Sequence, residues 1–328
     1  MKSLKKSIIG VSLIGLFLLT LGSQLVAGET EEISVSENLG AITVNTEFLT
    51  VRIVPDQAHL MWWYGNQTDG NEMYKLQLMK IREFMGDDDV LDDQTELGGL
   101  AYNLITSAWT HDIVEGDEEV TITLSLEGLV NGADMYLVMH IYTVDTPVEG
   151  TDSVTEALTE VKFDILVNNW DFSPAAQGLA IQSYLTEVQH RNRVRVRNGT
   201  AAENGNTTRT MQFESEEYND NAVAFAEWST FADIYNATDD YEETIQVGTA
   251  YFEDLATPPV DTPGFADGLG HLWLTYPNYG DNMKLVHDPT IGINADAFTD
   301  SLGLYLGTII GGLTLVTIVA IVIVRSKK

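Results

Sequence analysis

The run Glu160-Val161-Lys162-Phe163-Asp164-Ile165-Leu166-Val167 sends Val161, Phe163, Ile165 and Val167 to one side and Glu160, Lys162 and Asp164 to the other. A two-residue period marks a β-strand with one face in a core and the other in water. Working outward, the same alternation recurs. Val120–Leu126 alternates Val, Ile and Leu with Thr and Ser, and Leu49–Val54, His59–Tyr64, Tyr74–Phe84 and Thr208–Tyr218 behave alike. Met135–Val144 is more uniformly apolar and reads as a strand buried on both faces. Polar breaks such as Asn66-Gln67-Thr68-Asp69-Gly70 separate the runs. No segment carries a 3.6-residue apolar stripe over three turns, although a short helix stays open near Asp220–Tyr235. Many short strands joined by polar turns imply an all-β sandwich. It is either one large sandwich over residues 29–300 or two smaller ones split near 150. Asp145–Thr155 and Thr257–Gly270 are the candidate joints.

Both ends of the chain point to a membrane. Lys2, Lys5 and Lys6 precede the charge-free run Ile8–Leu21, and Val26-Ala27-Gly28 supplies small residues for a signal peptidase. Residues 1–28 therefore read as a cleaved secretory signal, with an uncleaved signal anchor as the alternative. Leu302–Val324 is 23 residues long without a charge, and about 20 helical residues cross a bilayer core. Arg325, Lys327 and Lys328 follow at once. Positive residues favour the cytoplasmic side, so the expectation is an extracellular ectodomain, a transmembrane helix over 302–324 and a tail of 325–328 inside. Gly303, Gly307 and Gly311 share one helix face, a pattern that lets two helices dimerise.

All 49 acidic residues lie between the two ends, with 11 of the 17 basic ones, so the ectodomain carries about 11 − 49 = −38. Such a charge excludes nucleic acid as a partner and favours cations. There is no cysteine, which removes thiol catalysis and disulfides; a chain this long buries enough core without them. Four Asn-x-Thr sequons, at Asn66, Asn198, Asn206 and Asn236, mark candidate N-glycosylation sites.

Candidate sites are few. Arg191, Arg193, Arg195 and Arg197 alternate along one strand face. They read either as an ion-pair ladder against Gln212, Glu214 and Glu216 of the next strand, or as a stripe for an anionic glycan. Asp87, Asp88, Asp89, Asp92 and Asp93, with Glu96 nearby, crowd carboxylates into one turn that could offer Ca²⁺ its hard oxygens; a solvated acidic loop is the plainer reading. Trp62-Trp63-Tyr64 sets adjacent aromatics on opposite strand faces, and Trp170 is expected to plug an end of the sandwich. The histidines show no zinc spacing, and His287-Asp288-Pro289 reads as a turn. No nucleophile elbow or phosphate loop occurs.

Two segments, Leu285-Val286-His287-Asp288-Pro289-Thr290-Ile291-Gly292-Ile293 and Phe163-Asp164-Ile165-Leu166-Val167-Asn168-Asn169-Trp170, resemble stretches of uncharacterised single-pass surface proteins of archaea. The resemblance implies an archaeal envelope protein and brings no site residue with it. The expectation is a cell-surface glycoprotein with a structural, adhesive or ligand-binding ectodomain whose partner is a glycan or an envelope protein. A membrane-anchored carbohydrate-active enzyme is the alternative.

Overall fold

The computed structural model describes residues 33–65, 73–147, 154–188, 193–198, 208–215, 218, 221–251 and 270–298, with backbone alone at 193–198, 251 and 270–271. The described chain is predominantly strand. In order these are β1 (Ser34–Asn38), β2 (Ala41–Asn45), β3 (Leu49–Val54), β4 (His59–Tyr64), β5 (Tyr74–Phe84), β6 (Leu97–Asn103), β7 (Thr110–Glu115) and β8 (Glu119–Leu126). β9 (Asp134–Tyr142), β10 (Thr146–Pro147), β11 (Val154–Thr155), β12 (Glu160–Asn168), β13 (Gly178–Glu187), β14 (Arg193–Asn198) and β15 (Thr208–Ser215) follow. β16 (Asn221–Ser229), β17 (Phe231–Tyr235), β18 (Tyr241–Gln246), β19 (Gly248–Tyr251), β20 (Gly270–Pro277), β21 (Lys284–His287) and β22 (Thr290–Ile293) complete the set.

Two large antiparallel sheets result. The first has nine strands in the order β1-β2-β3-β4-β5-β13-β20-β19, with β6 on the edge of β5 beyond β4. The second has eleven. Along one edge of β12 lie β9, β8 and β7; along its other edge β21 and β22 run end to end, followed by β17 and β16, then β18 and β15, and last β14. The chain crosses between sheets several times, so neither forms without the other.

The alternation read from Glu160–Val167 sets the inner face: Val161, Phe163, Ile165 and Val167 are buried while Glu160, Lys162 and Asp164 face out. Opposite them, Ile42, Val44, Val51, Ile53, Leu60, Leu76 and Ile181 of the first sheet close one continuous core. That core contains residues from both sides of position 150. The indole of fully buried Trp62 donates Nε1–H to the Gly292 carbonyl at 3.0 Å, tying β4 of the first sheet to β22 of the second.

Two expectations are corrected. Met135–Val144 is not buried on both faces: Met135, Leu137, Met139 and Ile141 enter the core, while Tyr136, Val138, His140 and Tyr142 form part of the outer surface. In place of a short helix near Asp220–Tyr235, residues 221–229 and 231–235 are extended, because β16 and β17 pair with β22 and β21 and tertiary pairing overrides local preference. Of the candidate joints, Asp145–Thr155 contributes the small β10–β11 ribbon, and its residues 148–153, with 257–269 of the other, lie outside the described residues.

One end of the sandwich is closed around a buried carboxylate. Glu83, 0 % exposed, accepts from Leu100 N at 2.8 Å, Ser173 N at 2.8 Å, Ser173 Oγ at 2.6 Å and Trp170 Nε1 at 3.3 Å. Trp170 is thus the plug expected there, and Gly99, at φ +61°, leaves the space that Glu83 Oε2 fills, since a Cβ would sit 2.1 Å from it.

Candidate functional site

The outer face of the second sheet carries a polar row across six strands. Strand register sets Thr121 beside His140, His140 beside Lys162, Lys162 beside Thr290, Thr290 beside Glu227 and Glu227 beside Thr210. At one end charges interlock. His140 Nδ1 contacts Glu119 Oε1, His140 Nε2 lies 3.4 Å from Asp164, and Lys162 Nζ lies 2.8 Å from Asp164 and 3.4 Å from Asp288. Burial works to lower the His140 pKa, but the hydrogen bonds and charges of Asp164 and Glu119 prevail and raise it. The imidazolium is the form this pairing favours.

At the other end the row opens into a pocket of about 230 Å³. Its floor comes from the neighbouring register row, Glu160–Gly292–Phe225–Gln212. Gly292 has no side chain to present outward, so the Phe225 ring edge lies across it; a Cβ there would meet that ring at 2.7 Å. The β10–β11 ribbon supplies a wall through Val154 and Thr155, and Glu227 with Thr290 supplies another.

The polar groups of the pocket are unevenly satisfied. Thr210 Oγ1 donates to Glu227 Oε2 at 2.6 Å, and Glu160 Oε2 accepts from Glu156 N at 3.1 Å. The Thr155 hydroxyl, on a residue 2 % exposed, has no hydrogen-bond partner, and neither has the buried Gln212 Oε1. Buried polar groups are nearly always paired. Burial first, then the nearby carboxylates of Glu156, Glu227 and Asp145, push Glu160 up to about 8 against its one opposing backbone hydrogen bond. Near neutral pH this holds Glu160 toward its protonated form.

Of these pocket residues only Gln212 was singled out from the sequence, as a partner for the arginine strand and not for a pocket. Among 49 acidic residues two more glutamates carry no signal, and Thr155, Glu160, Gln212 and Glu227 come from four strands that only the register brings together. The usable hint was Glu160 on the polar side of the opening alternation.

The sites that were singled out fare differently. Strand register sets Arg193 opposite Glu214, Arg195 opposite Gln212 and Arg197 opposite Thr210, in the strand pairing expected of a ladder. Arg191 and Glu216 lie outside the described residues, as do the side chains of the other three arginines. The carboxylates of the acidic loop bind its own backbone: Asp88 accepts from Val90 N, Asp93 from Thr95 N, and Glu96 from Asp92 N and Asp93 N. Leu91 between them turns inward onto Phe84, Ala180, Ala250 and Trp273 on the outer face of the first sheet. Among the described residues no three His, Asp or Glu side chains are grouped to hold a metal.

Trp62 is packed inside, and Tyr64 stacks on Phe298 with centroids 4.1 Å apart. His287 is buried between Tyr276 Oη, 2.9 Å from Nδ1, and the Ser229 carbonyl, 2.9 Å from Nε2. Of the sequons, Asn236 stands in the exposed β17–β18 turn, where its Oδ1 accepts from the Thr238 hydroxyl at 2.7 Å. Asn66 and Asn206 lie outside the described residues, as does the Asn198 side chain. Among the described residues no helix is long and apolar enough to cross a membrane; residues 302–324, with Gly303, Gly307 and Gly311, lie outside them.

Compared with known proteins, the chain matches no family model and no curated sequence.

Proposed function

We propose that this chain is a single-pass cell-surface glycoprotein of the archaeal envelope whose β-sandwich presents a ligand-binding face. Residues 302–324 span the membrane, the tail 325–328 is cytoplasmic, and the glycine stripe permits a homodimer. The observation that carries the binding role is the pocket on the outer face of the second sheet, whose lining residues include a buried hydroxyl and a buried amide oxygen without a hydrogen-bond partner. The anchor is supported by the charge-free run at 302–324 and the basic residues that follow it. Acidity, sequons and the absence of cysteine support the surface location. Fractionation with protease shaving of intact cells tests the placement: the chain belongs in the membrane fraction with its ectodomain removed from outside. Recovery of the full-length chain in the cytosol refutes it. A glycan and envelope-protein pulldown with fragment 29–300, with and without Ca²⁺, tests the binding role.

One observation favours a second reading, the anchored carbohydrate-active enzyme. Glu160 and Glu227 line the same pocket, and burial pushes Glu160 up to about 8, the raised carboxyl that glycoside hydrolysis pairs with a second acidic group. Turnover of chromogenic glycosides, abolished by Glu160→Gln and by Glu227→Gln, would decide for it.

A further inference from the structure

We infer that the pocket lined by Thr155, Glu160, Gln212, Phe225 and Glu227 is a sugar subsite that takes one hydroxyl-bearing ring of a neutral glycan. The inference rests on the ligand-binding part of the reading above and is independent of the anchor.

The argument begins with unmet hydrogen bonds. Thr155 is 2 % exposed with its hydroxyl unpartnered, and Gln212 Oε1 is buried without a donor. Both line the pocket. A buried polar group left unpaired is destabilising, so a fold that keeps two in one pocket has a missing partner there. Gln212 Oε1 needs a donor. The Thr155 hydroxyl offers one proton and accepts others. A ligand hydroxyl also donates and accepts, so vicinal hydroxyls meet both needs at once.

The carboxyl groups fit the same ligand. Glu227 has one oxygen engaged by Thr210 and Glu160 one engaged by the Glu156 backbone, which leaves acceptor capacity on each side of the pocket. Between them the Phe225 ring lies across Gly292 and offers an apolar surface. A sugar ring has that duality, an apolar C–H face and a polar edge, and binding pockets pair apolar surface with a few placed polar groups.

Size and charge argue against other ligands. From Glu160 to Gln212 the floor spans three strand spacings, roughly 14 Å between backbones, which is too broad for a bare ion. Ca²⁺ requires six to eight oxygens, and among the described residues no three His, Asp or Glu side chains are grouped to hold a metal. The described charged lining is two glutamates, Glu160 and Glu227, which disfavours phosphate and sulfate; the side chains of Arg195 and Arg197, set by register beside Gln212 and Thr210, lie outside the described residues.

The test uses the full chain in a sugar-free zwitterionic detergent. Calorimetric titrations with neutral hexoses, pentoses and N-acetylhexosamines, and separately with CaCl₂ and MgCl₂, run beside a glycan array. The expected result is saturable binding of at least one sugar, weakened about tenfold or more by Thr155→Val and by Glu227→Gln. Thr155→Val conserves shape and deletes only the unpaired hydroxyl, so it should melt at or above the parent temperature; weaker binding by a protein at least as stable cannot be a folding defect. Binding of array glycans with free sugars silent, but with the same sensitivity to both variants, assigns the subsite to a polymer end and also supports it. Silence from every sugar and glycan overturns the proposal, as does heat from the cations alone. Glycan binding that Thr155→Val leaves unchanged overturns it while leaving the broader binding role standing.

Discussion

Replacing Glu83 with glutamine should destabilise the sandwich far more than an isosteric change usually does. Four donors converge on this carboxylate: Leu100 N–H and Ser173 O–H on Oε2, Ser173 N–H and Trp170 Nε1–H on Oε1. With the glutamine oxygen at the Oε1 position, two bonds survive in weaker, neutral form. The new NH₂ then faces Ser173 O–H, which can rotate, and Leu100 N–H, which cannot. One buried backbone donor left unpaired costs about 1–3 kcal/mol, and the loss of charge assistance in the others about 1 kcal/mol more. Relief from desolvating the charge offsets part of this. The net expectation is a loss of about 2–3 kcal/mol, or roughly 5–10 °C in melting temperature for a domain of this size. Glu83→Ala should lose more, because all four donors are stranded beside a cavity. The assay is urea and thermal unfolding of fragment 29–300, with a double-mutant cycle against Ser173→Ala whose coupling should be at least about 1 kcal/mol. A Glu83→Gln protein within about 0.5 kcal/mol of the parent would refute the reasoning, since it would mean that water already serves those donors.

Two titratable groups should act on stability in opposite directions. His287, buried, falls from 6.5 to about 4. The unfolded chain therefore takes up a proton first, so this contribution is complete above pH 6.5 and drains by about 3 kcal/mol as pH drops to 4; His287→Gln should flatten that limb of the unfolding profile. Glu160 rises from 4.5 to about 8. Its contribution is intact below pH 4.5 and is lost as pH climbs to 8, so Glu160→Gln should be more stable than the parent at pH 8 by about 2–4 kcal/mol, read by denaturant midpoints. Leu91→Ala, which empties the contact under the acidic loop, should cost about 2 kcal/mol and raise proteolytic cutting between Gly86 and Glu96, read by gel.

Where the sequence spoke clearly, a strand had one dry face and one wet face. Glu160–Val167 and Val120–Leu126 are such cases, and each is a strand at that place. Leu97–Asn103 went unread because Gly98 and Gly99 interrupt any period, yet Gly99 is there to make room for Glu83. Thr110–Glu115 is an edge strand with hardly a buried side chain, so it has no alternation to detect. Phe231–Tyr235 alternates over only five residues, too few to separate from a helical turn. The pocket was invisible for a different reason. Its chemistry is a relation between Thr155, Glu160, Gln212 and Glu227, and that relation exists only once β16, β22 and β12 lie side by side.

The position of β21 and β22 has a consequence for how the molecule is made. Among the described residues these two strands come last, yet they are the only link between β12 and the β16–β17 side of the second sheet. During vectorial synthesis the chain emerges from its N-terminus. Residues 193–246 must therefore wait, unpaired with β12, until residues 284–293 have been delivered between them. The final stitch in the fabric closes only when residues 284–293 have been made. A stalled or shortened product would leave this sheet as two separate halves with raw edges, easy for quality-control proteases to tell from a finished molecule.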